Sequence, residues 1–203
     1  MPNAKPLVAE LHEALDRTPS AKYPAILARL TDLFVDKAAT YSGDQVEIFD
    51  DIMGRLIEAT QKFAHSTLID VSAKLAPIGN APAGVVGRLS QDNDLAVAGP
   101  VLEKSSAISE TALVEVATTK GPRHLAAIAS RPEIGEPVAD ALVERGIPDL
   151  TLKLVRNEHV RLSEMAFVKL VNRAKGDKSL AAGLAGRKDL PAELQPFLDL
   201  ALA

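Results

Sequence analysis

Four stretches, each opening on a glutamate, decide the fold: Glu110-Thr-Ala-Leu-Val-Glu-Val-Ala117, Glu136-Pro-Val-Ala-Asp-Ala-Leu-Val143, Glu164-Met-Ala-Phe-Val-Lys-Leu-Val171 and Glu193-Leu-Gln-Pro-Phe-Leu-Asp-Leu200. The glutamates stand 26, 28 and 29 residues apart. The first three copies place apolar residues six and seven positions on, while the fourth is shifted; in the third, the most apolar, Phe167, Val168, Leu170 and Val171 are expected in the core. Before each glutamate lies a second recurrent site, Lys104, Arg131, Asn157 and Arg187, and each follows an apolar helical run such as Leu125-Ala-Ala-Ile-Ala-Ser-Arg131. One unit is therefore a helix, a short turn carrying a basic or amide residue, and a second helix opening on Glu. A single pair of short helices cannot bury its apolar face, so a period of this length predicts stacked repeats, an α-solenoid.

Working outward, helix signals recur from about His65, with starts expected at Thr67, Ala81, Leu95, Glu110, Pro122, Glu136, Pro148, Glu164, Lys178 and Pro191. Pro122, Pro148 and Pro191 suit helix starts, where the missing N–H costs nothing. Gly146 and Gly176 follow Arg145 and Lys175, a glycine C-cap behind a basic last turn. Nearer the N-terminus the patterns are longer. Leu7, Val8, Leu11 and Leu15 predict one helix, which Thr18-Pro19-Ser20 stops. Ile26, Leu27, Leu30, Leu33 and Phe34, behind Pro24, predict a second. Ser42 and Gln45 have capping-box spacing ahead of Val46, Phe49, Ile52, Met53, Leu56 and Ile57, a third helix expected to end near Phe63. The domain reading is an N-terminal helical segment, 1–64, packed on a repeat region, 65–203.

The run Asp92-Asn-Asp-Leu-Ala-Val-Ala-Gly-Pro-Val-Leu-Glu-Lys-Ser105 resembles a hallmark of an uncharacterised, mainly alphaproteobacterial family named domain of unknown function 2336. His124-Leu-Ala-Ala-Ile-Ala-Ser-Arg131, Val138-Ala-Asp-Ala-Leu-Val-Glu-Arg-Gly146 and Leu154-Val-Arg-Asn157 extend the likeness, which covers roughly 25–203 and is sharpest over 92–175. The resemblance implies a HEAT-like helical repeat fold. It implies no reaction and supplies no catalytic residues. Together with the periodicity it gives the fold expectation: all-α, a right-handed HEAT-like solenoid of short helix pairs with an N-terminal helical segment.

Composition narrows the chemistry. The chain of 203 residues has no cysteine, which removes disulfides, a thiol nucleophile and thiolate zinc sites. A net charge of −4 argues against a general nucleic-acid coat, and aromatic residues at 3% leave few faces for stacking bases. No signal-peptide pattern opens the chain and no run approaches a membrane span, so a cytoplasmic location with no membrane contact is expected.

No motif of catalysis stands out. His12, His65, His124 and His159 share no metal-ligand spacing, and HExxH and GxSxG are absent. His159, in a turn beside Glu158, reads as a solvated loop histidine rather than a ligand or proton carrier. Asp44, Glu47 and Asp51 share a helical face beside Asp50 and Glu58; they read as a solvated face, against a convergent cation site. Gly79-Asn-Ala-Pro-Ala-Gly84 lacks the Gly-Lys-Ser/Thr of a phosphate loop and reads as helix punctuation. No catalytic, cofactor or metal residues are therefore assigned, and the expectation is a non-enzymatic protein.

Two readings stand for Lys104, Arg131, Asn157 and Arg187. They complement helix dipoles, and pair across the turn as Arg131 could with Glu136, or they line one edge of the solenoid as a binding surface. Charge is also uneven. Residues 1–119 hold 10 basic and 16 acidic side chains, and 120–203 hold 13 and 11. Lys153, Arg156, Arg161, Lys169, Arg173, Lys175 and Lys178 lie close together against Glu158, Glu164 and Asp177. The candidate partner-binding residues are thus Lys104, Arg131, Arg156, Asn157, Arg161 and Arg187. The expected function is a protein-interaction scaffold with an unidentified protein partner. The alternative is nucleic-acid backbone binding through 153–178. In the last helix Leu194, Phe197, Leu198, Ala201 and Leu202 can form one stripe while Leu200 points elsewhere, with no Gly or Asn cap and no basic last turn, which adds the expectation of a homodimer through that end.

Overall fold

The structure, a computed structural model, describes Glu13, Arg17 and residues 19–60 and 64–202. The helix expected on Leu7, Val8, Leu11 and Leu15 lies outside the described residues, as does its expected stop at Thr18, and so does Phe63. Every regular element described is helical: α1 (Tyr23–Lys37), α2 (Gly43–Thr60), α3 (His65–Leu75), α4 (Ala83–Ser90), α5 (Leu95–Lys104), α6 (Glu110–Thr119), α7 (Pro122–Ile128), α8 (Glu136–Arg145), α9 (Pro148–Arg156), α10 (Glu164–Ala174), α11 (Lys178–Ala185) and α12 (Gln195–Leu202), with short 3-10 turns before α1, after α1 and before α12. The chain divides into two compact units, residues up to Ala112 and residues from Leu113, the division falling within α6.

Local chemistry sets the boundaries. Pro122 and Pro148 occupy first turns, and Asp94, Ser163 and Asp177 accept from Ala96, Ala166 and Leu180 N–H to open α5, α10 and α11. Ser42 and Gln45 exchange the two bonds of a capping box at 2.9 and 3.4 Å. Gly146 closes α8 at φ 64°, a left-handed position that favours glycine. The helix expected from Pro191 begins as a 3-10 turn, Ala192–Leu194, with α12 following at Gln195. Two other starts differ from expectation: α3 opens at His65 rather than Thr67, and α4 at Ala83 rather than Ala81. Their N-caps are Ala64 and Pro82, and neither makes a side-chain capping bond, so the sequence holds no cap signal there.

In the first unit α1, α3 and α5 pack in one series and α2 and α4 in another, with α1 on α2, α3 on α4 and α4 on α5 between them. Leu27, Thr31 and Phe34 form the buried stripe of α1, so Leu33, expected on that stripe, is 48% exposed. Phe34 meets Tyr41 and Phe49 with ring centroids 5.6 and 5.0 Å away, which makes an aromatic cluster in this unit. In the second unit α8, α10 and α12 form one packed series, α9 packs on α11, and α10 packs on α11.

On α10, Phe167, Leu170, Val171 and Ala174 are buried at i, i+3, i+4 and i+7. Val168, expected in the core with them, is 39% exposed, because one residue rotates a side chain about 100° off the stripe. The last helix shows the same narrowing. Leu198 alone is buried; Leu194 and Ala201 are half-buried, and Phe197 and Leu202, expected on the stripe, are exposed together with Leu200.

The acidic residues of α2 hold the neighbouring helix. Asp50 accepts from the N–H groups of Gly84 and Val85 at 3.1 and 2.6 Å, capping α4 from outside, and Glu58 pairs with Arg88 at 2.9 Å. A carboxylate therefore occupies the helix N-terminus that a phosphate loop would offer to a ligand. A Cβ on Gly84 would lie 2.5 Å from Asp50 Oδ2, so the cap requires glycine at that position. Removing the carboxylate in Asp50→Ala is expected to cost about 1–2 kcal/mol in urea unfolding. Gly84→Ala should destabilise the native chain yet stabilise the Asp50→Ala variant, where the one close neighbour left is the flexible end of Arg88, 3.1 Å away, and the helix preference for alanine decides the sign. The same sign in both backgrounds would show that the cap does not set this glycine.

Candidate interaction surface

The turns between paired helices carry the recurrent residues, and in the second unit successive turns lie side by side. Ile134 and Val160, both buried, form an isolated parallel bridge, with Arg161 N–H donating to the Ile134 carbonyl at 3.0 Å. This fixes a 26-residue register between the turn after α7 and the turn after α9. At two of the recurrent positions, Asn157 and Arg187, the side chain meets carbonyls of the preceding turn.

Asn157 donates its amide to the carbonyls of Arg131 and Pro132, both at 3.2 Å, while its Oδ1 accepts from His159 N–H at 3.0 Å. Arg187 goes further. It is 8% exposed, and its guanidinium donates to the carbonyls of Val155, Asn157 and Val160 at 3.2, 3.0 and 2.7 Å. It is held bidentately by Asp189 at 2.8 and 2.7 Å, with the Phe167 ring centroid 5.7 Å away. The last carbonyls of a helix have no partner within that helix, and here the next repeat supplies the donors. Arg187, expected at a partner-binding edge, is thus turned inward and used by the fold, because a planar fork with five donors matches a cluster of carbonyls and a carboxylate.

The other predicted residues fall differently. Arg131 is half-buried, and burial holds its guanidinium below the usual arginine range. Lys104, in the first unit, is exposed at the end of α5. Arg156 and Arg161 are exposed. The structure joins Arg131, Asn157 and Arg187 in one series of side-chain-to-carbonyl bonds, and leaves Arg156 and Arg161 facing solvent.

Two further residues of the same kind were not read from the sequence. Arg145 donates to the carbonyls of Ala117 and Thr118 at 2.7 and 3.1 Å, and Arg173 to that of Val143 at 2.5 Å. Each stands in the last turn of its own helix and donates to the end of a helix about 28 residues earlier. The signal was present, since Arg145 and Arg173 share the 28-residue spacing of Glu136 and Glu164. In the first unit Asn80 closes the end of α1 likewise, through the Ala38 carbonyl at 2.6 Å.

Of the seven clustered cations, Lys153 donates to Ser130 Oγ at 2.7 Å, Lys169 pairs with Glu144, and Arg173 is engaged as above. Arg156, Lys175 and Lys178 are exposed. Asp149, Leu152, Lys153, Arg156 and Asn157 line a shallow recess of about 310 Å³ along α9. Among the described residues no three His, Asp or Glu side chains converge as a metal site. His65 meets Asp94 at 2.9 Å, His124 is buried and His159 is exposed in its turn; His12 lies outside the described residues. No described helix is long and apolar enough to cross a membrane.

No curated protein and no solved structure matches the chain. The likeness read from the runs between Asp92 and Lys175 is shown directly: residues 97–196, which hold the exposed recess and every clamp of the second unit, match the family described as an uncharacterised protein conserved in bacteria, DUF2336.

Proposed function

We propose that the protein is a non-enzymatic, cytoplasmic interaction scaffold, built as a HEAT-like solenoid of short helix pairs, and that its partner docks through the basic outward end of α9 and the turn that follows. One observation carries the reading. Polar residues at the recurrent positions turn inward onto carbonyls, as Arg187 and Asn157 do, whereas neighbouring cations stay at the surface beside a recess, Arg156 foremost. In support of the solenoid, helices two apart in sequence pack on each other within each unit, as they do when helix pairs stack.

The expected partner surface is acidic. In an affinity capture from the native cell, the wild-type chain should retain a specific protein through moderate salt. Charge reversal at Arg156 and Arg161 should abolish capture while leaving the far-UV circular dichroism spectrum unchanged. Undiminished capture by the reversed chain would return both residues to ordinary solvated surface, and retention of duplex DNA that falls steeply with salt would replace the protein partner by nucleic acid.

A further inference from the structure

We infer that the outward stripe of α9 is a seat for a short acidic peptide segment of a protein partner, with a carboxylate at its Arg156 end and an apolar side chain over Leu152. The inference rests on the scaffold reading and goes beyond it by assigning the seat and the chemistry of its occupant.

Asp149, Leu152, Lys153 and Arg156 stand at i, i+3, i+4 and i+7, so they share one face of α9. The recess they line with Asn157, about 310 Å³, lies at the small end of the range for ligand pockets, a size for individual side chains rather than a globular surface. The neighbouring α11 presents Gly183 to this region. A Cβ there would lie 3.0 Å from Val155 Cγ1 and 3.8 Å from Leu152 Cδ1, so the glycine brings α11 in close without covering the stripe.

Charge along the stripe is sorted. Asp149 sits in the first turn, and Lys153 and Arg156 in the last, about 6 and 10 Å away along the axis. Arg156 has no hydrogen-bond or ion-pair partner among the described residues. Lys153 gives one donor to Ser130, and an ammonium has three. The C-terminal end of the recess therefore offers a guanidinium fork and ammonium donors to a carboxylate, beside an apolar contact at Leu152. A nucleic-acid backbone fits less well. It needs cations spread along a track, and Lys169 and Arg173, which would extend one, are held by Glu144 and the Val143 carbonyl.

The test selects binders from a random short-peptide library on the immobilised full chain and measures the selected peptides by fluorescence polarisation. Enriched peptides should carry Asp or Glu three or four residues from Leu, Ile or Phe. Arg156→Glu should weaken them by about tenfold or more and Leu152→Ser by a smaller factor, whereas Arg161→Glu, outside the recess, should change affinity by less than about threefold. Circular dichroism verifies that each variant is folded. Selection of peptides without acidic enrichment, failure to enrich any, or equal affinity for Arg156→Glu would overturn the assignment. If native-partner capture still requires Arg156 and Arg161 in that case, the scaffold reading survives and only this seat falls. If capture is also indifferent to both, the two fall together. Displacement of the peptides by a single-stranded oligonucleotide at low salt only would mark the stripe as a non-specific cationic surface and overturn the peptide seat.

Discussion

Arg187→Ala is expected to lower the unfolding free energy by about 3–5 kcal/mol, the range for removing one partner of a buried charged network. The guanidinium is 8% exposed and donates to three carbonyls; that of Asn157 keeps Val160 N–H at 3.2 Å, while those of Val155 and Val160 gain no replacement donor when the side chain is cut back. A buried acceptor left without a donor costs about 1–3 kcal/mol. Asp189 contributes less to the loss, since its side chain is half in water and is resolvated on release. Arg187→Lys should recover only part of the difference, because an ammonium keeps the charge but lacks the planar fork. Urea unfolding followed by far-UV circular dichroism measures both variants, and hydrogen exchange locates the effect. The amides that lose protection should be those at the end of α9 and in the following turn, about thirty residues before the substitution. A loss below about 1 kcal/mol for alanine would show that water serves these carbonyls as well as the guanidinium does.

Phe167→Ala is expected to cost about 3–5 kcal/mol, the usual toll of emptying a large aromatic site in a close-packed interior. Phe167 is 2% exposed and lies on the stripe of α10 that includes Leu170, Val171 and Ala174. Val168→Ala, one residue on, should cost less than about 1 kcal/mol, since that side chain is already 39% exposed. The contrast between adjacent residues tests the register of the repeat itself. Because the Arg187 guanidinium lies over the Phe167 ring, the double variant Phe167→Ala/Arg187→Ala should lose less than the sum of the two single losses. Additive losses would mean that the ring and the guanidinium stabilise the fold independently.

The all-helical architecture and most boundaries of the repeat were legible because their signals are local. A proline or an acidic residue near a helix start, and a glycine behind a basic last turn, act within a few residues and leave a mark that can be read without tertiary structure. Where the cap is Ala64 or Pro82 there is no such mark, and the expected starts of α3 and α4 drifted. Which apolar residues face inward was legible to within one position. The spacing rule admitted Val168, whereas the packing of α10 against α8, α11 and α12 rejects it.

The candidate site was legible in part. That positions 104, 131, 157 and 187 are equivalent could be read from the repeat, but the direction of each side chain could not. Arg187, flanked by Gly186 and Lys188, reads as any solvated loop cation. Its burial arises from carbonyls 27 to 32 residues earlier. In the sequence Arg145 reads as completing its own helix and Arg173 as one of a basic cluster, because a sequence pattern does not show that a long side chain can reach the next helix. What turns Arg187 inward while Arg156, one residue before the equivalent Asn157, faces solvent is therefore three-dimensional.

The clamps also have a direction in time. Arg145, Asn157, Arg173 and Arg187 all donate to carbonyls that precede them, while Asp50 and Asp140 accept from N–H groups that follow, at the starts of α4 and α10. On a ribosome the accepting carboxylate is made first, and it stands ready as an anchor on which the next helix can begin. The donors that seal a helix end arrive only with the following repeat, a delay of about 1–6 s at ordinary elongation rates. Each newly emerged pair is thus well started and unfinished, with its growing edge open to the next pair until translation closes it.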